Sequence, residues 1–324
     1  MATISYGSAY SGSPTTIYNT LIADFSAALS SRNYLNYFKV QSASSSELTA
    51  TNLASNFSYT FKGSFSYSGG LPLGSSSVTG ISVKNAASVP LVSVTGLPYT
   101  ISDIANATLA GFTSTFNSLP WDVSGSAGND SFQVGSASSS FDGGAGIDTA
   151  TYLGTRDSFT ASKTEGGFTV TSKTNASVTS NLTNVERLKF SDVTVALDIS
   201  GNAGTTAKIL GAVFGKNTVT NKDYAGVGLD LLDRGMSYAD LMKLAINVKL
   251  GAGASNAAVV DLLYTNVVGS PPPASEKAFY VRLLDSGAYT VGTLGVLAAD
   301  TGQNAANVNL VGLATSGLEY SPQG

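Results

Sequence analysis

With 324 residues, 43% of them hydrophobic, the chain can form two or three domains around a sizeable core, but only 12% are charged, so Ser, Thr, Asn and Gly must supply most of the surface. A net charge of −4 and a pI near 4.8 argue against a nucleic-acid partner, and no apolar run is long enough to make a transmembrane segment. The absence of both Cys and His excludes disulfides, thiolate sites, Ser-His-Asp and Cys-His nucleophiles, zincin motifs and imidazole ligation; with no GxSxG or phosphate loop either, no enzyme is expected.

The first residues, MATISYGSAYSGSP, carry no basic stretch followed by an apolar core, so no secretory signal peptide is expected. Residues 13–31 predict an amphipathic helix. Ser13 can cap it, Pro14 suits its first position, and Ile17, Leu21, Phe25 and Leu29 recur every four residues. In FSYTFKGSFSYSG, Phe57, Tyr59 and Phe61 alternate, as do Phe65 and Tyr67 after Gly63, which predicts half-buried strand. SSVTGISVK and PLVSVTGL continue the strand pattern between Gly and Pro punctuation. A second helix is predicted over 102–119, capped by Ser102. Residues 1–121 therefore read as a β-rich domain carrying two helices.

Residues 125–151 divide into three nonapeptides, GSAGNDSFQ, VGSASSSFD and GGAGIDTAT. Gly125 matches Gly143, Gly128 matches Gly146 and Asp130 matches Asp148, while Phe132, Phe141 and Ala150 share the eighth position. The pattern GGxGxDxUx belongs to calcium-binding parallel β-rolls. Its glycines let six residues coil tightly and expose backbone carbonyls, the Asp adds a hard anionic oxygen, and the last three residues form a short strand with its large side chain inward. Successive turns alternate sides, so the first and third share a face. A cation there would meet Asp130 and Asp148 with the carbonyls near Gly128 and Gly146, and Asn129 and Asp142 are further candidate oxygens. All-oxygen ligation without His or Cys favours Ca²⁺. The middle turn has Ser139 where an Asp belongs, so one site is expected rather than two.

DSFTASKTEGGFTVTSK predicts a hairpin about Gly166-Gly167, and LTNVERLKFSDVTVAL predicts more strand. The adjacent Glu186 and Arg187 read as a surface pair worth under about 1 kcal/mol. From about residue 203 the pattern turns helical. LLDRGMSYADLMKLA at 231–245 returns as LLDSGAYTVGTLGVLA at 283–298, a step of 52 from Leu231 to Leu283. Asp233 and Asp285 in these copies read as turn or cap residues in preference to a ligand pair. GSPPPAS is expected to be a rigid connector.

The segments GNDSF, DGGAGIDTATYLGTRDSFTASKTEGGFTV and NVERLKFSDVTVALD resemble proteobacterial RTX-type secreted proteins, in which a β-roll precedes a small strand domain. The two-copy helical region resembles a domain often placed after such repeats. The resemblance implies a chain that is mainly β with an α-helical C-terminal region. Its three parts would be a β-rich domain at 1–121, an RTX-like roll and strand domain at 122–200 and a helical domain at 201–324. It also implies type I export on an uncleaved C-terminal signal and an extracellular or cell-surface location. The low charge and Ser/Thr/Gly-rich surface further resemble surface-layer proteins. The expected function is therefore a calcium-dependent structural protein that assembles with itself, with a cell-surface glycolipid as a further partner. The alternatives are a secreted haem-type small-molecule binder, whose iron ligand would have to be a tyrosine, and an adhesin module.

Overall fold

The structure is a computed structural model that describes residues 2–7, 38–68, 71–106 and 118–323. The helix expected at 13–31 lies outside the described residues. So does most of the helix expected at 102–119, whose start is seen as α1 (Ile101–Asn106). The chain divides into two compact units, Met1–Val185 and Glu186–Gly324. The first is β-rich and the second carries the long helices.

Apolar and polar residues alternate in β1 (Ala2–Tyr6), β2 (Phe38–Ala43), β3 (Glu47–Asn52) and β4 (Ser58–Ser64), so one face of each strand can be buried. Ile4, Leu48, Ala50, Tyr59 and Phe61 are buried on that face, and the Tyr59 and Phe38 rings meet edge to face, 5.6 Å apart. β5 (Tyr67–Ser68) and β6 (Leu71–Pro72) make a short ribbon of their own. β7 (Ser77–Lys84) and β8 (Pro90–Thr100) resume the alternation, burying Val78, Val83, Val92 and Val94.

β9 (Trp121–Ser124) leads into the nonapeptide stretch, which contributes β10 (Ser131–Gln133), β11 (Ser139–Asp142) and β12 (Thr149–Thr151). Asp122 stands opposite Ser140 and Ser131 opposite Thr149, both parallel and both 18 residues apart. The chain thus moves between two parallel ladders every nine residues. Val123, Phe132, Phe141 and Ala150 point inward and are buried, with the Phe132 and Phe141 rings 5.5 Å apart. β13 (Phe159–Thr164), β14 (Gly167–Ser172) and β15 (Thr179–Thr183) follow. Thr164 pairs with Gly167, so the hairpin turns on Glu165-Gly166, one residue before the expected Gly-Gly. Gly167, at φ 143° and with Leu182 O 2.0 Å from where a Cβ would lie, is needed for close approach to the neighbouring strand.

Eleven of these strands form one sheet in the order β13-β14-β15-β11-β9-β1-β8-β7-β4-β3-β2. β1 is its seam, antiparallel to β8 and parallel to β9. Beyond β9 and β11 the parallel run reaches β15, where Ser140 faces Asn181 across a chain separation of 41 because the β13–β14 hairpin intervenes. β11 of the nonapeptides, with β9 just before them, therefore shares a sheet with the N-terminal strands.

In the second unit, β16 (Arg187–Lys189), β17 (Thr194–Ala196) and, from the far end of the chain, β18 (Leu318–Tyr320) pair antiparallel. The first helical copy comprises α2 (Asn202–Ile209) with the π turn Leu210–Phe214, then α3 (Lys222–Asp233) and α4 (Tyr238–Leu250). The second comprises α5 (Asn256–Val268), α6 (Ala274–Asp285) and α7 (Val291–Ala299), and α8 (Gly302–Asn307) and α9 (Leu310–Ser316) follow. Side-chain caps from Asn221, Ser237, Ser255 and Thr290 start α3, α4, α5 and α7. Equivalent elements face each other: α4 packs on α7, and the π turn packs on α5. Met242, Ile246, Val260, Leu263 and Leu294 lie in the shared core. Gly295 permits the α4–α7 contact, since a Cβ there would come within 2.4 Å of Met242 Cγ. Among the described residues no helix is long and apolar enough to cross a membrane.

Arg187 corrects the surface-pair expectation. It is 3% exposed, and its Nη1 donates to the backbone carbonyl of Glu186 at 2.9 Å. Its Nη1 meets Asp198 at 2.5 Å and its Nη2 donates to both Asp233 oxygens at 2.9 and 3.0 Å. Burial alone would lower the Arg187 pKa, but the two carboxylates raise it above the usual arginine value. Burial is also the main reason the neighbouring Tyr320 phenol is pushed up. Asp233 additionally accepts from Asn202 Nδ2 at 2.8 Å, and its counterpart Asp285 accepts from Asn256 Nδ2 at 2.7 Å.

Candidate metal centre

Two loops of like sequence connect the ladders, 125–130 between β9 and β10 and 143–148 between β11 and β12. They stack on one another through the backbone. Gly125 N–H donates to Asp142 O at 2.7 Å, Ala145 N–H to Ser126 O at 3.4 Å and Thr149 N–H to Asp130 O at 2.8 Å. The stack extends to the end of β15, where Gly143 N–H donates to Thr183 O at 3.0 Å.

Glycine at the first loop position is a consequence of that stacking. A Cβ on Gly125 would lie 2.1 Å from Gly143 O, and one on Gly143 would lie 2.2 Å from Asn184 O. Gly146 adopts φ 127°, which side chains rarely tolerate, and its Cα faces Gly128, whose carbonyl oxygen would be 2.7 Å from a Cβ. Gly128 and Gly146 are thus brought face to face.

Asp130 and Asp148 are 2% and 0% exposed and belong to one hydrogen-bonded system. Asp130 Oδ2 accepts from Ser126 N–H at 2.5 Å and from Ser126 Oγ at 2.9 Å. Asp148 Oδ1 accepts from Asp130 N–H at 2.6 Å, which ties the two aspartate positions together across 18 residues. Asp130 Oδ1 is buried and accepts no hydrogen bond. Such an oxygen, if ionised, forfeits its hydration with nothing to replace it.

The other two expected ligands stand apart from this system. Asn129 Oδ1 accepts from Ile147 N–H at 2.9 Å and bridges the loops. Asp142 is exposed, and its Oδ1 accepts from Gly144 N–H at 3.2 Å and Asn184 Nδ2 at 2.9 Å. Ser126 holds the Asp130 carboxylate by two bonds, yet the sequence reading passed over it. Its signal is a short polar residue four positions before an Asp, a spacing at which side chain and backbone can close a turn.

Among the described residues no group of three or more acidic, His or Cys side chains comes together. The centre therefore offers two carboxylates, one of them with an oxygen free of hydrogen bonds, and backbone carbonyls. That donor set suits a hard, oxygen-seeking cation and supplies no soft ligand. Compared with known proteins, the chain matches no protein family, no curated protein and no solved structure.

Proposed function

We propose that the nonapeptide stretch is a short parallel β-roll of the RTX kind that binds Ca²⁺ between its stacked loops, in a secreted structural protein that assembles with copies of itself. The observation that carries the calcium reading is the buried Asp130 Oδ1, an oxygen with no hydrogen-bond donor, on a loop stacked against that of buried Asp148. Asp130 and Asp148 would supply the charge, and the Gly128 and Gly146 carbonyls the neutral oxygens. A bound divalent ion would screen two buried carboxylates that otherwise repel in a medium of low dielectric. Extracellular calcium modules work at roughly 10⁻⁴–10⁻³ M, far above the level inside cells, so the loops would be filled only after export.

The self-assembly reading is supported by the surface. Twelve per cent charged residues and a net charge of −4 leave wide polar areas with little like-charge repulsion. A cell-surface glycolipid is the proposed anchor of the assembled material. Calcium enters assembly because the loops lie within the sheet-bearing unit, so their order fixes the faces available to neighbours. Light scattering and negative-stain images in a calcium–chelator cycle test the reading. Large particles should disperse on chelation and return with excess Ca²⁺. A chain that stays monomeric at high concentration in millimolar Ca²⁺ contradicts it.

A further inference from the structure

The solvent face of the eleven-stranded sheet has an unusual composition. One register row reads Ser42, Thr49, Thr60, Ser82 and Ser93 across β2, β3, β4, β7 and β8. It continues through β1, β9, β11 and β15 as Ser5, Ser124, Asp142 and Thr183. Nine successive strands thus present a small polar side chain in one line. The adjoining row is similar, with Lys62, Gly80, Thr95, Thr3, Asp122 and Ser140. Many of these groups already bond their neighbours: Thr49 to Thr60 at 3.1 Å, Ser82 to Ser93 at 3.2 Å and Ser140 to Asp122 at 2.5 Å. Neither row contains an aromatic ring, so sugars and bases find no stacking platform.

Charge on this face is divided. Lys39, Lys62 and Lys84 stand with Glu47 on β2, β3, β4 and β7, whereas Asp122 and Asp142 stand on β9 and β11. β8 lies midway, with β4 and β9 each two strands from it. A second copy turned over about an axis along β8 therefore places its Asp122 opposite Lys62, in the same row. The same turn sets Ser82 opposite Ser5, Thr60 opposite Ser124, and Ser93 opposite itself.

We propose that this hydroxyl face binds the same face of a second copy about that twofold axis. The inference rests on the self-assembly reading and names its interface. At about 4.8 Å per strand the nine-strand row is roughly 40 Å long, and two or three outward residues per strand make it about 13–20 Å wide. The resulting area of roughly 500–800 Å² per copy reaches the range of a standard protein interface. Ser and Thr lose little side-chain entropy when held, and hydroxyls already paired across strands keep their bonds when water leaves. Only a twofold arrangement makes the lysine end and the aspartate end meet twice.

The absence of Cys from the chain makes a clean cross-linking test possible. With a short bismaleimide, Ser93→Cys should give covalent dimers. Thr60→Cys and Ser124→Cys should cross-link with each other when mixed and only weakly alone. Ala54→Cys, in an exposed turn away from the rows, is the control. Lys62→Glu should lower the Ser93→Cys yield about tenfold, since the contact occurs twice, and adding Asp122→Lys should restore it. Circular dichroism of each variant must match the parent. If Ser93→Cys cross-links no better than Ala54→Cys while calcium-dependent scattering persists, the interface is wrong and self-assembly stands. Cross-linking at Ser93 without the Thr60–Ser124 mixed product overturns the twofold arrangement. A chain that sediments as a monomer at every concentration overturns both.

Discussion

The molecule repeats itself twice, by opposite physical means. In the β-rich unit the step is 18 residues, and one turn of chain contributes a single large apolar side chain, Phe132 or Phe141, to the interior. Its turns are joined by backbone bonds and by carboxylates that accept from N–H groups. In the helical unit the step is 52, and the copies meet through a continuous apolar core. There the equivalent polar contact of the two copies is an Asn–Asp bond, Asn202 to Asp233 and Asn256 to Asp285. A short repeat cannot bury enough surface to hold its own shape, so glycine and charge must set its geometry. A long repeat can leave that task to packing.

The largest departure from this contrast is expected at Arg187, a buried charge in the unit that packing dominates. Arg187→Ala leaves Asp198 and Asp233 without their cation and should destabilise the helical unit by about 3–5 kcal/mol in denaturant titration. A loss below about 1 kcal/mol would mean the cluster is solvated. Next comes Phe141→Ala, which empties a fully buried position and should cost roughly 3 kcal/mol in the β-rich unit. Gly143→Ala adds one methyl against Asn184 O and the Asp148 carboxylate, at an expected cost of about 1–3 kcal/mol. If it is neutral, the loops are not stacked as tightly as their hydrogen bonds require. The smallest effect belongs to Asp285→Ala. This exposed counterpart of Asp233 accepts from Asn256, and its loss should fall within the error of the same titration. A penalty equal to that at Arg187 would show that the two copies share one polar design.

Much of the β-rich unit was legible because its signals are local. Alternation at Phe57, Tyr59 and Phe61 marked β4, and the hairpin was placed within one residue of its turn. The 18-residue step of the glycines and aspartates matched the ladder register because both follow from the same pair of strands. The extension of that ladder to β15 was hidden, since a hairpin stands between Ser140 and Asn181. Pairing of β1 with β9 left no local trace either, because parallel neighbours need no turn between them. Arg187 was misjudged for a related reason. Its adjacent Glu186 suggested a charge partner, while the carboxylates that Arg187 holds lie 11 and 46 residues away. At the candidate centre, Asp130, Asp148 and the glycines were readable from spacing. The separate bonding of Asp142 was not, because it depends on Asn184 at the far side of the hairpin.

Calcium titration calorimetry of the parent beside Asp130→Asn and Asp148→Asn is the most direct measurement of the central claim. Asn at 148 can still accept from Asp130 N–H, so the loop stack should persist while the charge is removed. The expected result is one site in the parent, of roughly 10⁻⁵–10⁻³ M affinity, weakened at least tenfold by either substitution and abolished by both. The same affinity and stoichiometry in the double variant, or no binding heat from the parent at about 10 mM Ca²⁺, would contradict a calcium site between the stacked loops.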